Sequence, residues 1–146
     1  MPDTATVQAP PLQPTVGVGV VVVRGDQVLL IKRGKAPRMG EWSIPGGTQE
    51  LGETVRETAV REVREETGVE IEGLRLLDVV DAFGRHPDGS LRTQWTLVDF
   101  AATWVSGEAV AGGDAAEARW VEAAAIERYG LWSETVRIIR AALAGD

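Results

Sequence analysis

Apolar positions change their period several times along the chain. Thr15 to Arg24 (TVGVGVVVVR) is almost wholly valine and glycine, and the β-branched run predicts a strand. Gly25-Asp26 reads as a turn and Gln27 to Lys32 (QVLLIK) as a second strand, so the pair predicts a hairpin. Gly17 and Gly19 weaken an ordinary strand. They mark either a tolerant strand start or a close approach by another segment or a ligand. Arg33 to Arg38 is a short basic loop, Gly40 to Ile44 (GEWSI) a short strand, and Pro45 leads into a Gly46-Gly47 turn. The period then lengthens. Val55, Ala59, Val60 and Val63 share one arc of a helical wheel, which predicts a helix from about Thr54 to Thr67. Thr54 with Glu57 makes a capping box, and Gly68 stops the helix.

Beyond that helix, Val69 to Ala82 holds one or two strands, Phe83 to Ser90 (FGRHPDGS) a turn, and Leu91 to Trp104 a long strand, so the flanks of the turn predict a hairpin. Ser106 to Ala118 is a Gly/Ala-rich loop, with Glu117 to Glu122 (EARWVE) a final short strand. Ala123 to Tyr129 predicts a short helix and Ser133 to Leu143 a terminal one, with Ser133 as its N-cap. Strand-rich and helical segments alternate, which suits an α/β fold with a mixed sheet flanked by helices. Residues 1–14 contain four prolines and read as a flexible N-terminal arm, able to pack on a partner subunit; residues 15–146 read as one domain.

Composition narrows the chemistry. The chain has 146 residues, 44% hydrophobic and 25% charged, as expected of a soluble single domain. The net charge of −7 argues against nucleic acid or an anionic membrane as partner, though not against a small phosphate compound. With no cysteine there is neither a disulfide framework nor a thiolate metal site. The lone His86, in a polar turn, excludes a multi-histidine site and reads as exposed. No apolar run is long enough to span a bilayer, so a cytoplasmic location is expected.

One cluster of charge asks for a reason. Glu62, Glu65 and Glu66 fall at i, i+3 and i+4, on one side of the predicted helix. Like charges so placed repel by a few tenths of a kcal/mol per pair, whereas a divalent cation makes the grouping favourable. Arg56, Arg61 and Arg64 offer a plainer account, a salt-bridged solvated face, but that leaves Gly46-Gly47, Gly52-Glu53 and Gly68 unexplained. Gly47, Glu53, Arg61, Glu62, Val63, Glu65, Glu66, Gly68 and Val69 match G-x5-E-x7-R-E-U-x-E-E-x-G-U, where U is a bulky apolar residue. The segment resembles the signature of the Nudix hydrolase family.

That resemblance implies an α/β/α sandwich and hydrolysis of a nucleoside diphosphate linked to another moiety, dependent on Mg²⁺ or Mn²⁺. By motif position, Glu62, Glu65, Glu66 and the Gly46 carbonyl resemble the metal ligands. Glu53 resembles the acid that supports the helix, and Arg61 is placed to orient a carboxylate. The general base is either Glu62 or an acid of the later loop, Glu117 ahead of Asp114. Arg33 and Arg38 either meet substrate phosphates or are solvated loop charge, and Phe83 and Trp95 either stack on a purine or pack in the core or on a sheet face. WTLVDFAA and EARWV resemble the ADP-ribose pyrophosphatase group, so ADP-ribose or a related nucleoside diphosphate sugar is the first expectation. Alternatives are a pyrophosphohydrolase of unmodified or oxidised nucleoside triphosphates and a non-catalytic nucleotide-binding module. The small-molecule nucleotide is the expected partner, and a homodimer is compatible with the sequence.

Overall fold

The computed structural model describes residues 12–145, so most of the expected N-terminal arm lies outside the described residues. The valine-rich runs form β1 (Thr15–Arg24) and β2 (Gln27–Arg33), followed by the short β3 (Trp42–Ser43) and β4 (Gly46–Thr48). Helix α1 (Val55–Thr67) precedes two long strands, β5 (Glu70–Arg85) and β6 (Leu91–Ser106), then β7 (Ala115–Glu122), a 3-10 helix (Ala123–Tyr129) and α2 (Ser133–Leu143).

The strands form one mixed sheet in the order β3-β2-β1-β6-β5, with β4 also on β1 and β7 also on β2. The first hairpin is real but brief, since β1 pairs with β2 only at Val23–Val28 and Arg24–Gln27. Both strands then find other neighbours. β1 runs parallel to β6 from Thr15–Trp95 to Val23–Thr103, while β2 runs antiparallel to β7. Antiparallel β4 takes the other edge of β1, setting Gly19 opposite Gly46 and Val18 opposite Gly47.

Helices cover both faces, which gives the expected α/β/α sandwich. On one side Val18, Val20, Val22, Leu29, Phe100 and Ala102 pack with Ala59 and Val63 of α1. On the other, Val21, Val28, Leu30 and Ala101 pack with Ile126 of the 3-10 helix and Ile138, Ile139 and Ala142 of α2. Strands buried on both faces read as unbroken apolar runs, hence VVVV and VLLI. A fully buried Ile such as Ile139 adds roughly 1.5–3 kcal/mol.

Local boundaries differ from expectation in several places. Pairing of Phe83 with Gln94 and Arg85 with Leu91 carries β5 through the expected turn, which shrinks to the segment around His86–Ser90. Strand β7 starts at Ala115, ahead of the expected start at Glu117, so Glu117 lies within the strand and not at the end of the preceding loop. Arg33 ends β2. Ser133 is the first residue of α2, and Trp132 holds the cap position with no side-chain hydrogen bond. Gly46-Gly47 is not a turn but the body of β4. The capping box of α1 is as expected: Glu57 N–H donates to Thr54 Oγ1 at 3.0 Å, and Thr54 N–H to Glu57 Oε1 at 2.9 Å. Gly68 closes the helix in the left-handed region, φ 72°.

Candidate functional site

Arg61 organises the polar side of α1. Its guanidinium donates to both oxygens of Glu53 (2.6 and 2.9 Å), to Glu62 (2.8 Å), to Glu65 (3.2 Å) and to the Thr48 carbonyl (3.2 Å). Thr58 Oγ1–H and the Glu50 N–H also donate to Glu53, at 2.8 and 3.0 Å. Arg61 and these donors hold the Glu53 carboxyl down to about 2. The other two helix arginines turn away from the acids: Arg56 donates to the Leu74 carbonyl and Arg64 pairs with Glu70. The helix therefore divides its charges, with a solvated arginine side facing β5 and a carboxylate side facing β4.

Strand β4 is where the glycines matter. A Cβ on Gly47 would fall on the Glu62 carboxylate, 2.5 and 2.6 Å from its oxygens. A Cβ on Gly46 would overlap the Val18 carbonyl and come within 2.9 Å of the Gly19 Cα. Without side chains, β4 lets the helix acids close over its backbone, and the Gly46 N–H donates to Glu66 Oε1 at 2.8 Å. Glu66 is 8% exposed. Its burial pushes the carboxyl up to about 7 against the opposing pull of the Gly46 N–H, and Glu62 and Asp114 push the same way as burial. Glu62, half-buried, is also raised by burial, with Arg61 opposing. Glu65 is exposed beside them.

Among the described residues, no three His, Cys, Asp or Glu side chains stand together as a ready-made metal cage. Arg61 draws Glu62 and Glu65, and the Gly46 N–H draws Glu66. The donor set nevertheless fits a hard divalent ion: carboxylate oxygens only, crowded with like charge, two of them withdrawn from water, over a strand stripped of side chains.

The remaining expected residues fall into two groups. Arg33 borders the acids, since its charge lowers both Glu66 and Asp114, and its Nε donates to the Pro37 carbonyl. Asp114 is near enough to raise Glu66, but it is held below the usual range by a 2.8 Å pair with Lys35. Farther out, Arg38 is exposed at φ 62° beside Glu41. Glu117 pairs with Lys32 at 3.4 Å and Arg119 at 3.0 Å, and alternation along β7 sets it on the face of Val121, which packs toward α2. Trp95 is half-buried over Gly17, whereas Phe83 is 52% exposed under Arg85. His86 is exposed in its turn. Asp99, at 8% exposure on β6, was not anticipated; the only signal was one acid inside the apolar run LVDFAA.

With this geometry in hand, comparison with known proteins gives a consistent answer. A family model described as the NUDIX domain matches residues 13–142. An ADP-ribose pyrophosphatase of Methanocaldococcus jannaschii is 38% identical over 111 residues, covering 76% of this chain and 63% of that protein. This chain thus spans less than two thirds of that relative's length. The crystal structure of a MutT NUDIX hydrolase from Burkholderia pseudomallei superposes with a TM-score of 0.72 at 30% identity, covering 88% of this chain and 98% of that one. A bifunctional NMN adenylyltransferase/ADP ribose pyrophosphatase from Francisella tularensis, solved with AMP and a Mn ion, superposes with a TM-score of 0.73 at 27% identity, covering 94% of this chain and 43% of that one.

Proposed function

The chain belongs to the Nudix family, and on that premise we propose that it hydrolyses a nucleoside diphosphate linked to another moiety, ADP-ribose or a related nucleoside diphosphate sugar first. The observation that carries this reading is the pair Glu62 and Glu66, two carboxylates withdrawn from water side by side over the bare backbone of Gly46 and Gly47. Arg61 already pairs with Glu62, but among the described residues no ion pair reaches Glu66, and burying that carboxylate ionised costs several kcal/mol unless a cation joins it. Glu65, Glu66 and the Gly46 carbonyl are assigned as holding Mg²⁺ or Mn²⁺. When bound, the cation supplies positive charge at the diphosphate and makes a neighbouring water more acidic.

The chain's own groups do the rest. Glu62 takes the proton of the attacking water. One phosphorus gains that oxygen and loses the bridging oxygen, which leaves with the other phosphate. Burial, which raises Glu62, suits it to this role, and its bond from Arg61 fixes its direction. Glu117 is engaged by Lys32 and Arg119, so it is the weaker candidate base. Arg33, at the border of the acids, meets the charge that develops on the phosphates. The ADP-ribose assignment draws on the named activity of the Methanocaldococcus relative and on the AMP bound in the Francisella structure.

Product analysis tests the reading. Wild-type protein with Mg²⁺ is expected to release AMP and ribose 5-phosphate from ADP-ribose, with Glu65→Gln and Glu66→Gln each reducing turnover about 10²–10⁴-fold. A nucleoside monophosphate and pyrophosphate from a triphosphate, with ADP-ribose untouched, would move the substrate to that class. Absence of product from every diphosphate would leave a binding module.

A further inference from the structure

The loop between β6 and β7, Gly107–Asp114, touches both halves of the site with its backbone. At one end it closes α1. The last carbonyls of a helix have no partner within it. Here the Val110 N–H donates to the Thr67 carbonyl at 2.9 Å and the Gly112 N–H to the Glu66 carbonyl at 3.0 Å. Two glycines permit the approach. A Cβ on Gly107 would overlap the Gly68 carbonyl, and one on Gly112 would fall 2.5 Å from the Glu65 carbonyl oxygen. Gly112 does not have a left-handed backbone, so its missing side chain serves that contact alone. Water can satisfy exposed helix-end carbonyls. The loop takes its place at the two residues whose side chains are assigned to the cation.

At the other end the loop holds the basic segment after β2. The Gly34 N–H donates to the Asp114 carbonyl at 2.8 Å, and Lys35 pairs with the Asp114 carboxylate at 2.8 Å. Gly34 also stands at a close approach. A Cβ there would lie 3.2 Å from both the Asp114 carbonyl oxygen and the Ala116 nitrogen. One residue earlier, Arg33 pairs with Ala115 across the β2–β7 ladder. Only Gly113 lies between the two holds. The backbones of Glu66 and Gly34 are thus joined through Gly112, Gly113 and Asp114.

We infer that Gly112 and Gly34 are positioning residues: through Gly112–Asp114 they fix the separation between the cation-holding turn of α1 and the phosphate-meeting Arg33. The inference rests on the assignment, made above, of Glu65 and Glu66 to the cation and of Arg33 to phosphate. Groups that orient metal ligands from behind change metal affinity about 10–100-fold when they are lost.

Calorimetric binding tests this without turnover, using Mn²⁺ alone and then AMP at saturating Mn²⁺. Gly112→Ala should push the loop off the Glu65 carbonyl and weaken Mn²⁺ about 10-fold. Gly34→Ala, with a milder overlap at the other end, should keep Mn²⁺ affinity within about 2-fold of wild type and weaken AMP about 10-fold. Gly113→Ala is the control for a loop that matters only to stability. Its backbone is left-handed, φ 55°, so alanine strains the loop, yet its Cβ stays 3.8 Å from the Glu65 carbonyl oxygen. It should melt a few degrees lower with both affinities as in wild type. Wild-type Mn²⁺ affinity in Gly112→Ala, an equal loss in Gly113→Ala, or wild-type AMP affinity in Gly34→Ala would overturn the inference. If Gly112→Ala does not fold, Gly34→Ala alone decides. ADP-ribose hydrolysis, measured alongside, keeps the two readings apart. Turnover with Mn²⁺ affinity unmoved in Gly112→Ala sinks only the role of the loop; the expected affinities without turnover sink only the hydrolase. A wild-type protein that binds no Mn²⁺ overturns both.

Discussion

Gly47→Ala isolates a single contact. Gly47 lies in a strand and needs no left-handed backbone, so alanine costs nothing in local conformation. The added Cβ would instead sit 2.5 and 2.6 Å from the Glu62 oxygens. Carbon and oxygen need more than about 3 Å, so the carboxylate must retreat by roughly 0.5–1 Å. Glu62 ends a flexible side chain, and overpacking here should lower stability by only about 1 kcal/mol. Catalysis tolerates such a shift far less: a 1 Å misplacement costs about 10²-fold. Gly47→Ala should therefore melt within a few degrees of wild type while its kcat/KM for ADP-ribose falls about 10²-fold. The decisive comparison is the double variant. If the methyl acts through Glu62, Gly47→Ala adds nothing to Glu62→Gln, because the group it displaces is already disabled. Fully additive losses, or a single variant with wild-type kcat/KM, would refute the reasoning. Gly46→Ala is the contrast, because its Cβ meets the backbone of β1 and should destabilise the sheet itself.

Three other outcomes are expected. Arg61→Ala should lower the melting temperature by about 5 °C or more, and Arg61→Lys should restore only part of it because it lacks the fork that spans Glu53 and Glu62. Since Glu53 is held at about 2, its contribution is present above about pH 4.5 and disappears as pH falls through 2, so wild-type and Arg61→Ala melting curves should converge in acid. For Asp99 the sign is opposite. Burial, with Asp78 and Glu134 adding and Arg137 opposing, raises it from 3.8 to about 6, so stability is fullest below pH 3.8 and falls as pH rises through 6. Asp99→Asn should flatten that slope, worth about 3 kcal/mol, in urea titrations at pH 4 and pH 7. Thr54→Ala removes the cap of α1 and should cost about 1 kcal/mol by the same titration.

What could be read in advance was what depends on near neighbours in the chain. The helix, its capping box and its Gly68 stop are decided within a few residues, and all three stand as expected. The expectation that Arg61 orients a carboxylate matches its bonds to Glu53, Glu62 and Glu65. The glycine pair of β4 was misread because a glycine needed for a close approach and one needed for a turn look alike. Only the fold shows that Glu62 and the β1 backbone occupy the space over Gly46-Gly47. Glu117 stands in the sequence at the overlap of a Gly/Ala-rich loop and a final strand, and the small residues before it hide where the strand begins. Pairing of Arg33 with Ala115 and Lys32 with Glu117 draws that segment into the sheet. Asp99 was invisible as a buried group, because its burial depends on Gly19 across a parallel ladder that no local pattern announces.

That ladder also sets an order of assembly. The whole carboxylate signature is complete by Val69, yet β1 needs β6 beside it, with Thr15 against Trp95 and Val23 against Thr103, and β2 needs β7. A ribosome-bound chain that has emerged only to Val69 therefore carries every signature residue with no platform to hold them. The apolar stripe of α1 still lacks Phe100 and Ala102, and the valines of β1 stand as a bare edge. Closing such long loops is slow. The residues that come early in synthesis become a working site only when the last strands arrive, and until then β1 is the segment most in need of protection from other chains.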